Sequence, residues 1–222
     1  MCIRDSGRTA LNANTTASYN IAVGYAALTN NTTGAANVAV GLQVLDTNTT
    51  GNNNTAIGAN AGDANTTGSS NVAVGYYALL SNTTASNITA LGRSALQANT
   101  TGTYNVAVGA YALDANTTTS NNTACGYAAL GANTANSNTA VGYNALLVNT
   151  TGNSNVALGV RALAENVDTN NCTAVGFDAL RYNTAADNTA VGSVALDANT
   201  TGSNNTACGK GCLLYTSPSP RD

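Results

Sequence analysis

The chain has no histidine and no tryptophan, and only one phenylalanine, one methionine and two prolines in 222 residues. Without histidine there is no imidazole acid–base pair, no Ser-His-Asp triad and no histidine metal ligand. Seven Lys and Arg stand against ten Asp and Glu, for a net charge of −3. The cations are scattered, so there is no basic stripe for a phosphate-driven nucleic-acid interface, and no nucleic acid partner is expected. No apolar run approaches the roughly 18 residues of a membrane span, so no membrane insertion is expected of this stretch of chain. Val, Ile, Leu and Phe total 39, under a fifth of the residues, which goes with disorder only where net charge is high. The bulk is instead Ala (41), Asn (35), Thr (34) and Gly (22), about 59% of the chain. That mixture suits a thin repetitive structure better than a globule with one thick core.

Both ends differ from what lies between. Residues 1–6 read Met-Cys-Ile-Arg-Asp-Ser, and residues 212–222 read Cys-Leu-Leu-Tyr-Thr-Ser-Pro-Ser-Pro-Arg-Asp. Back-translated, ATG TGT ATA AGA GAC AG at the start is the reverse complement of the stretch that encodes Cys212 into Ser217. The two segments resemble translated sequencing-adapter ends, and the expected repeat domain is 7–211, with the natural termini outside the chain.

Within 7–211 a glycine preceded by an Ala-aliphatic pair (or Ala-Cys) recurs at Gly24, Gly41, Gly58, Gly75, Gly92, Gly109, Gly126, Gly142, Gly159, Gly176, Gly192 and Gly209, and Gly7 fits the same phase. The spacing is seventeen residues, except sixteen at Gly126–Gly142 and at Gly176–Gly192. Places are numbered below from this glycine. Ala is always at −2, and −1 is always Val, Ile, Leu or Cys. Leu holds +4 in all twelve units except at Gly62. Asn holds +7 throughout, at Asn14, Asn31, Asn48, Asn65, Asn82, Asn99, Asn116, Asn133, Asn149, Asn166, Asn183 and Asn199.

Seventeen residues are too few for helical repeats, which need more than thirty, and fit one coil of a parallel β-solenoid. The sequence therefore predicts an all-β chain of about twelve coils. Asn-Thr-Ala-Val-Gly reads as a short strand, because Thr and Val favour the extended state, and the glycine permits a bend where a Cβ would clash. Ala-Leu at +3 and +4 reads as a second short strand or a single helical turn. Asn-Thr-Thr-Gly reads as a turn, and both one-residue deletions fall there, as a surface loop tolerates. Alternation separates Ala at −2 from Val at −1 and Thr or Val at −3. The reading places Val at −1 in the core, leaving about two large aliphatics per coil, and offers the Ala row as a smooth face for a homotrimer. The variable +2 and +5 places read as outward-facing. The +7 asparagines are expected to form a ladder of stacked amides along the axis, a structural rather than a ligand-binding role.

The units Asn-Val-Ala-Val-Gly at 71–75 and 105–109, and Asn-Thr-Ala-Val-Gly at 138–142 and 188–192, resemble the head repeats of trimeric autotransporter adhesins of the YadA type. The longer unit Gly-Tyr-x-Ala-Leu…Asn-Thr-Thr-Gly resembles repeats of phage tail-fibre-like proteins. The resemblance spans nearly all of 7–211, although the seventeen-residue coil is longer than that of the adhesin heads. It implies a left-handed parallel β-roll, a homotrimer, and a place outside the cell, on the cell surface or on a virion.

Candidate chemistry is sparse. Cys125 and Cys208 replace the −1 residue and read as small core hydrophobes. Cys172 replaces an Asn, and the three lie too many coils apart for a disulfide. Asp46, Asp63, Asp114 and Asp197 share +5, with only the first two in adjacent coils, and read as a solvated face. Tyr25, Tyr76, Tyr127, Tyr143 and Phe177 recur at +1, as packing between coils or as a carbohydrate-stacking stripe. The glycine-aspartate nonapeptide of calcium-binding β-rolls is absent. No catalytic residue, cofactor or metal is expected. The expected function is a structural or attachment segment: a rigid spacer that displays a receptor-binding tip, or contacts a host-surface receptor or glycan along its length. An ice-binding solenoid and a carbohydrate-processing β-helix enzyme are the alternatives.

Overall fold

A computed structural model describes residues 4–213. Thirteen strands of three residues each follow one another: β1 (Arg4–Ser6), β2 (Ile21–Val23), β3 (Val38–Val40), β4 (Thr55–Ile57), β5 (Val72–Val74), β6 (Thr89–Leu91), β7 (Val106–Val108), β8 (Thr123–Cys125), β9 (Thr139–Val141), β10 (Val156–Leu158), β11 (Thr173–Val175), β12 (Thr189–Val191) and β13 (Thr206–Cys208). They form a single parallel sheet in chain order. Coil n is taken to begin at the glycine after βn. Register is constant: Ala22 pairs with Ala39, Ala39 with Ala56, and so on to Ala190 with Ala207. At about 4.8 Å per strand, thirteen strands make a rod about 58 Å long.

The all-β solenoid is the fold the repeat length called for. The backbone of Arg4–Ser6 extends it one strand beyond the expected domain, because strand pairing uses only main-chain groups and any sequence can join an open edge. Cys212 also follows the coil path, its carbonyl accepting from the Leu196 N–H at 3.0 Å. Residues 1–3 and 214–222 lie outside the described residues.

No second strand and no helical turn forms at Ala-Leu. The chain turns there instead, with +2 and +4 both in the left-handed region, as at Ala26 (φ 55°) and Leu28 (φ 51°). A left-handed L-residue costs about 1–2 kcal/mol. Burial of each leucine offsets that cost, as does a bond from its N–H to the +3 carbonyl of the next coil, such as Leu28 N–H to Val44 O at 3.0 Å. At Gly62 the left-handed turn remains (φ 60°), and the Leu45 side chain takes the space a Cβ would fill.

The strand faces are reversed relative to the expectation. Ala at −2 points inward and is fully buried from Ala22 to Ala207, while −3 and −1 are half-exposed on the outer face. Cys125 and Cys208 at −1 are therefore exposed rather than in the core. The one continuous row of large interior aliphatics is the +4 leucine, absent at Gly62 and joined by Val44 at +3 and Ile88 at −4, packed with the −2 and +3 alanines. A seventeen-residue coil encloses too small a cross-section for a second large row beside two rows of asparagine. The Ala row is consequently not available as an association face.

The +2 and +5 side chains are not freely outward either. They lie against neighbouring coils, and Asp178 is only 8% exposed at its side chain. Thr29 Oγ1, Asp46 Oδ1 and Asp197 Oδ1, all at +5, are buried without a hydrogen-bond partner. The corner glycines have φ between 119° and 141°. A Cβ on Gly24 would stand 2.2 Å from the carbonyl oxygen of Gly41, so the corners of successive coils stack too closely for any side chain.

Candidate functional site

The most organised chemistry of the molecule is interior. The +7 asparagines are buried and linked amide to amide along the axis. Asn48 Nδ2 donates to Asn31 Oδ1 at 2.8 Å, Asn65 to Asn48 at 2.8 Å, and Asn82 to Asn65 at 2.7 Å. Each also closes its own turn, as Asn48 Nδ2 does on Gly51 O at 3.1 Å. Both amide hydrogens and the side-chain oxygen are thus satisfied in a dry interior, where an unpaired amide would cost about 1–3 kcal/mol.

A second asparagine row at −4 is buried as deeply at Asn20, Asn37, Asn54, Asn71, Asn105, Asn122, Asn138, Asn155 and Asn188, with Asn205 at the end of the row half-buried. It bonds main chain rather than its own kind. Asn37 Oδ1 accepts from the Asn54 N–H at 2.9 Å, and Asn37 Nδ2 donates to Gly51 O at 2.8 Å. Sequence reasoning named the +7 row alone, although −4 is Asn in every coil except at Ile88 and Cys172. Cys172 belongs to this row. It is buried, and its thiol stands in for the missing amide, donating to Ala185 O at 3.4 Å.

The +7 ladder is interrupted twice, at the entry to each sixteen-residue coil. Asn133 Nδ2 turns to Ala135 O (2.7 Å) and Asn183 Nδ2 to Ala185 O (2.6 Å), instead of reaching the Asn of the preceding coil. Asn116 Oδ1 and Asn166 Oδ1 thereby lose their donors. Each is rescued by a threonine at +10 of its own coil, Thr119 and Thr169, whose hydroxyl donates to that oxygen. In the other seventeen-residue coils +10 is Gly or Ala. At the second junction the hydroxyl also splices the ladder, because Asn183 Nδ2 donates to Thr169 Oγ1 at 3.3 Å.

The outer surface is less uniform. At +1, Tyr127 and Tyr143 stack coil to coil (centroids 5.5 Å, planes at 14°), and Arg161 lies 5.1 Å from the Phe177 ring centre. Tyr25 and Tyr76 remain about half-exposed, Tyr76 stacking on its neighbour Tyr77 at 3.9 Å. Arg161 binds Asp178 through two hydrogen bonds (2.8 and 2.6 Å), and Arg181 lies 3.8 Å from the same carboxylate. Burial raises the pKa of Asp63, with the charge of Asp46 adding to it, and burial alone raises that of Asp114. Asp197 is raised by burial and by Asp178. These +5 carboxylates share a row, but only Asp46 and Asp63 act on each other. Among the described residues no three His, Cys, Asp or Glu side chains converge as a metal site, and no helix is long and apolar enough to cross a membrane. No protein-family model, curated protein or solved structure matches this chain.

Proposed function

We propose that the chain is a non-catalytic structural and attachment segment, a rigid shaft of a tail fibre or cell-surface adhesin that works outside the cell or on a virion as a homotrimer. The unbroken thirteen-strand sheet with its outward row of Val, Ile, Leu and Cys at −1 carries this reading. The outer strand face presents residues such as Val23, Ile57, Leu158 and Val191 at −1, and at −3 Ile21, Val38, Val72, Val106 and Val156 alternating with threonines, beside the aromatic +1 row. A second copy covers it in register, in place of the Ala row that the alternation suggested. The two interior asparagine rows bond each other and the main chain, which suits a load-bearing role.

Light scattering on the purified chain tests this, together with bis-maleimide crosslinking at Cys125, which lies on that face. In-register trimers give a threefold mass and efficient Cys125–Cys125 crosslinks, whereas a folded monomer at micromolar concentration overturns the trimer. The ice-binding reading has less support, because the +8 threonine hydroxyls are engaged internally, as Thr32 Oγ1 is on Thr49 O at 3.0 Å. Thermal hysteresis would reverse that ranking, and turnover of a surface glycan would overturn the non-catalytic reading.

A further inference from the structure

Coil 8 carries the smallest pair of side chains at +2 and +5, Ala128 and Gly131, where other coils carry Gln43 and Asp46, or Tyr77 and Leu80. The missing side chains open a shallow, solvent-open surface cleft of about 480 Å³. Tyr111 and Asp114 of coil 7 form one wall, Leu147 of coil 9 the other, and Tyr127 the rim. The Tyr111 and Tyr127 rings meet edge to face, 5.8 Å apart at 77°. Both are braced without a ligand, Tyr127 by its stack on Tyr143 and Tyr111 by the Arg93 guanidinium 5.5 Å from its centre.

We propose that this cleft is a lateral binding site for a neutral pyranose sugar. A pyranose has an apolar C–H face and a rim of hydroxyls. The tyrosine wall takes the first, and the Asp114 carboxylate, an acceptor with two oxygens, takes hydroxyl hydrogens. That carboxylate is half-buried with no neighbouring charge or hydrogen bond contributing to its raised pKa, so its acceptor capacity is unspent. No Lys or Arg lines the cleft, so a phosphate, sulfate or sugar acid would meet Asp114 without a countercharge. A purely apolar side chain of a protein partner would bury the carboxylate with nothing to bond it, which is costly. A neutral polyol satisfies both walls, and the braced rings keep the ordering cost low. The site goes beyond the shaft reading and does not depend on it. It sits at +2 and +5, across the glycine corner from the strand face, and a trimer packed through the −3 and −1 rows alone leaves it open.

The test is saturation-transfer NMR on the full chain with the methyl pyranosides of glucose, galactose, mannose and N-acetylglucosamine and trisaccharides built from them. Gly131→Gln and Ala128→Gln fill the cleft with side chains that coils 6 and 3 already carry at the same places, as Gln97 and Gln43, so the fold is retained. At least one probe is expected to bind with Kd near 1 mM, about −4 kcal/mol. Either filling variant, and Tyr127→Ala, are expected to weaken binding at least tenfold, and Asp114→Asn severalfold. No transfer from any probe at 20-fold the expected Kd overturns the proposal. So does transfer unchanged in Gly131→Gln, or binding of inorganic phosphate or an acidic sugar in preference to the neutral ones. Because the mass of the assembly is read separately by light scattering, failure here and failure of the trimer are distinguishable.

Discussion

Ten coils of seventeen residues and two of sixteen run through one strand ladder, with a glycine at every corner and a leucine row broken only at Gly62, yet they satisfy their interior amides differently. In the long coils, three residues separate Asn at +7 from the carbonyl its amide closes on, and the amide still reaches back to the previous coil, as Asn65 does to Asn48 and Gly68. In the short coils the separation is two, the amide is drawn away, and the two asparagine rows bond each other instead: Asn138 Nδ2 to Asn133 Oδ1 and Asn188 to Asn183, both at 3.1 Å. Each short coil is matched by a threonine in the coil before it. A deletion in a surface turn is therefore not local. It withdraws a donor from the neighbour, and the neighbour carries the repair, Thr119 for one junction and Thr169 for the other.

The largest effect is expected where the two classes do not differ. Gly109→Ala, at the start of a long coil, and Gly126→Ala, at the start of a short one, both place a Cβ within 2.5 Å of the next corner's carbonyl. Each is expected to lose more than about 3 kcal/mol by strain and clash, or to prevent folding. Thermal denaturation followed by circular dichroism reads this, and tolerance in either class would show that the corners are not equivalent.

Next is the repair itself. Thr119→Val and Thr169→Val remove only a hydroxyl and strand a buried amide oxygen, an expected loss of about 1–3 kcal/mol each. Thr32→Val removes a hydroxyl whose acceptor carbonyl is also served by main-chain N–H groups, and it is expected to cost about 0.5 kcal/mol or less. Equal losses in denaturant titrations would remove the distinction between junctions and regular coils. Restoring the deletion gives a smaller change of opposite sign. Thr119→Gly combined with a glycine inserted between Ala135 and Asn136 rebuilds a seventeen-residue coil and lets Asn133 reach Asn116. A gain of about 1 kcal/mol, a rise of roughly 2–4 °C in Tm, is expected for a chain of this size.

The smallest effect is set by pH. Asp63, Asp114 and Asp197, all in long coils, have pKa values raised above 3.8 mainly by burial. The folded state then binds protons more tightly than the unfolded chain, so these groups favour folding at low pH. Their contribution falls as pH rises from about 3.8 through the raised values and is flat above them. Tm is therefore expected to be slightly higher near pH 4 than at pH 7, and Asp114→Asn is expected to shrink that difference. A Tm that rises steadily from pH 4 to 7 would contradict the burial of this row.

Much of the fold was legible in the sequence. The seventeen-residue period and the strand-bend-turn order of each coil follow from glycine, β-branched and Asn-Thr placement, because those residues act on the backbone beside them. The +7 asparagines were legible for the same reason. The −4 row is nearly as regular, broken only at Ile88 and Cys172, but its asparagine was read as the start of a strand, and only neighbouring coils show that its amide bonds the main chain above and below. The threonines at 119 and 169 could have been found by noticing that, among the seventeen-residue coils, they alone replace Gly or Ala at +10, each one coil ahead of a deletion.

What the sequence by itself determined is the periodicity, and with it a parallel solenoid of equal coils. Only the tertiary structure decided which way each coil faces. Alternation says that Ala and Val lie on opposite sides of a strand, and it says nothing about which side is enclosed. The closed cross-section settles that: the interior has room for methyl groups, one leucine and two carboxamides per coil, so alanine goes in and valine goes out. The same closure forces leucine into left-handed turns that local propensity disfavours, and makes a one-residue loss in one coil a hydrogen-bonding problem for the next.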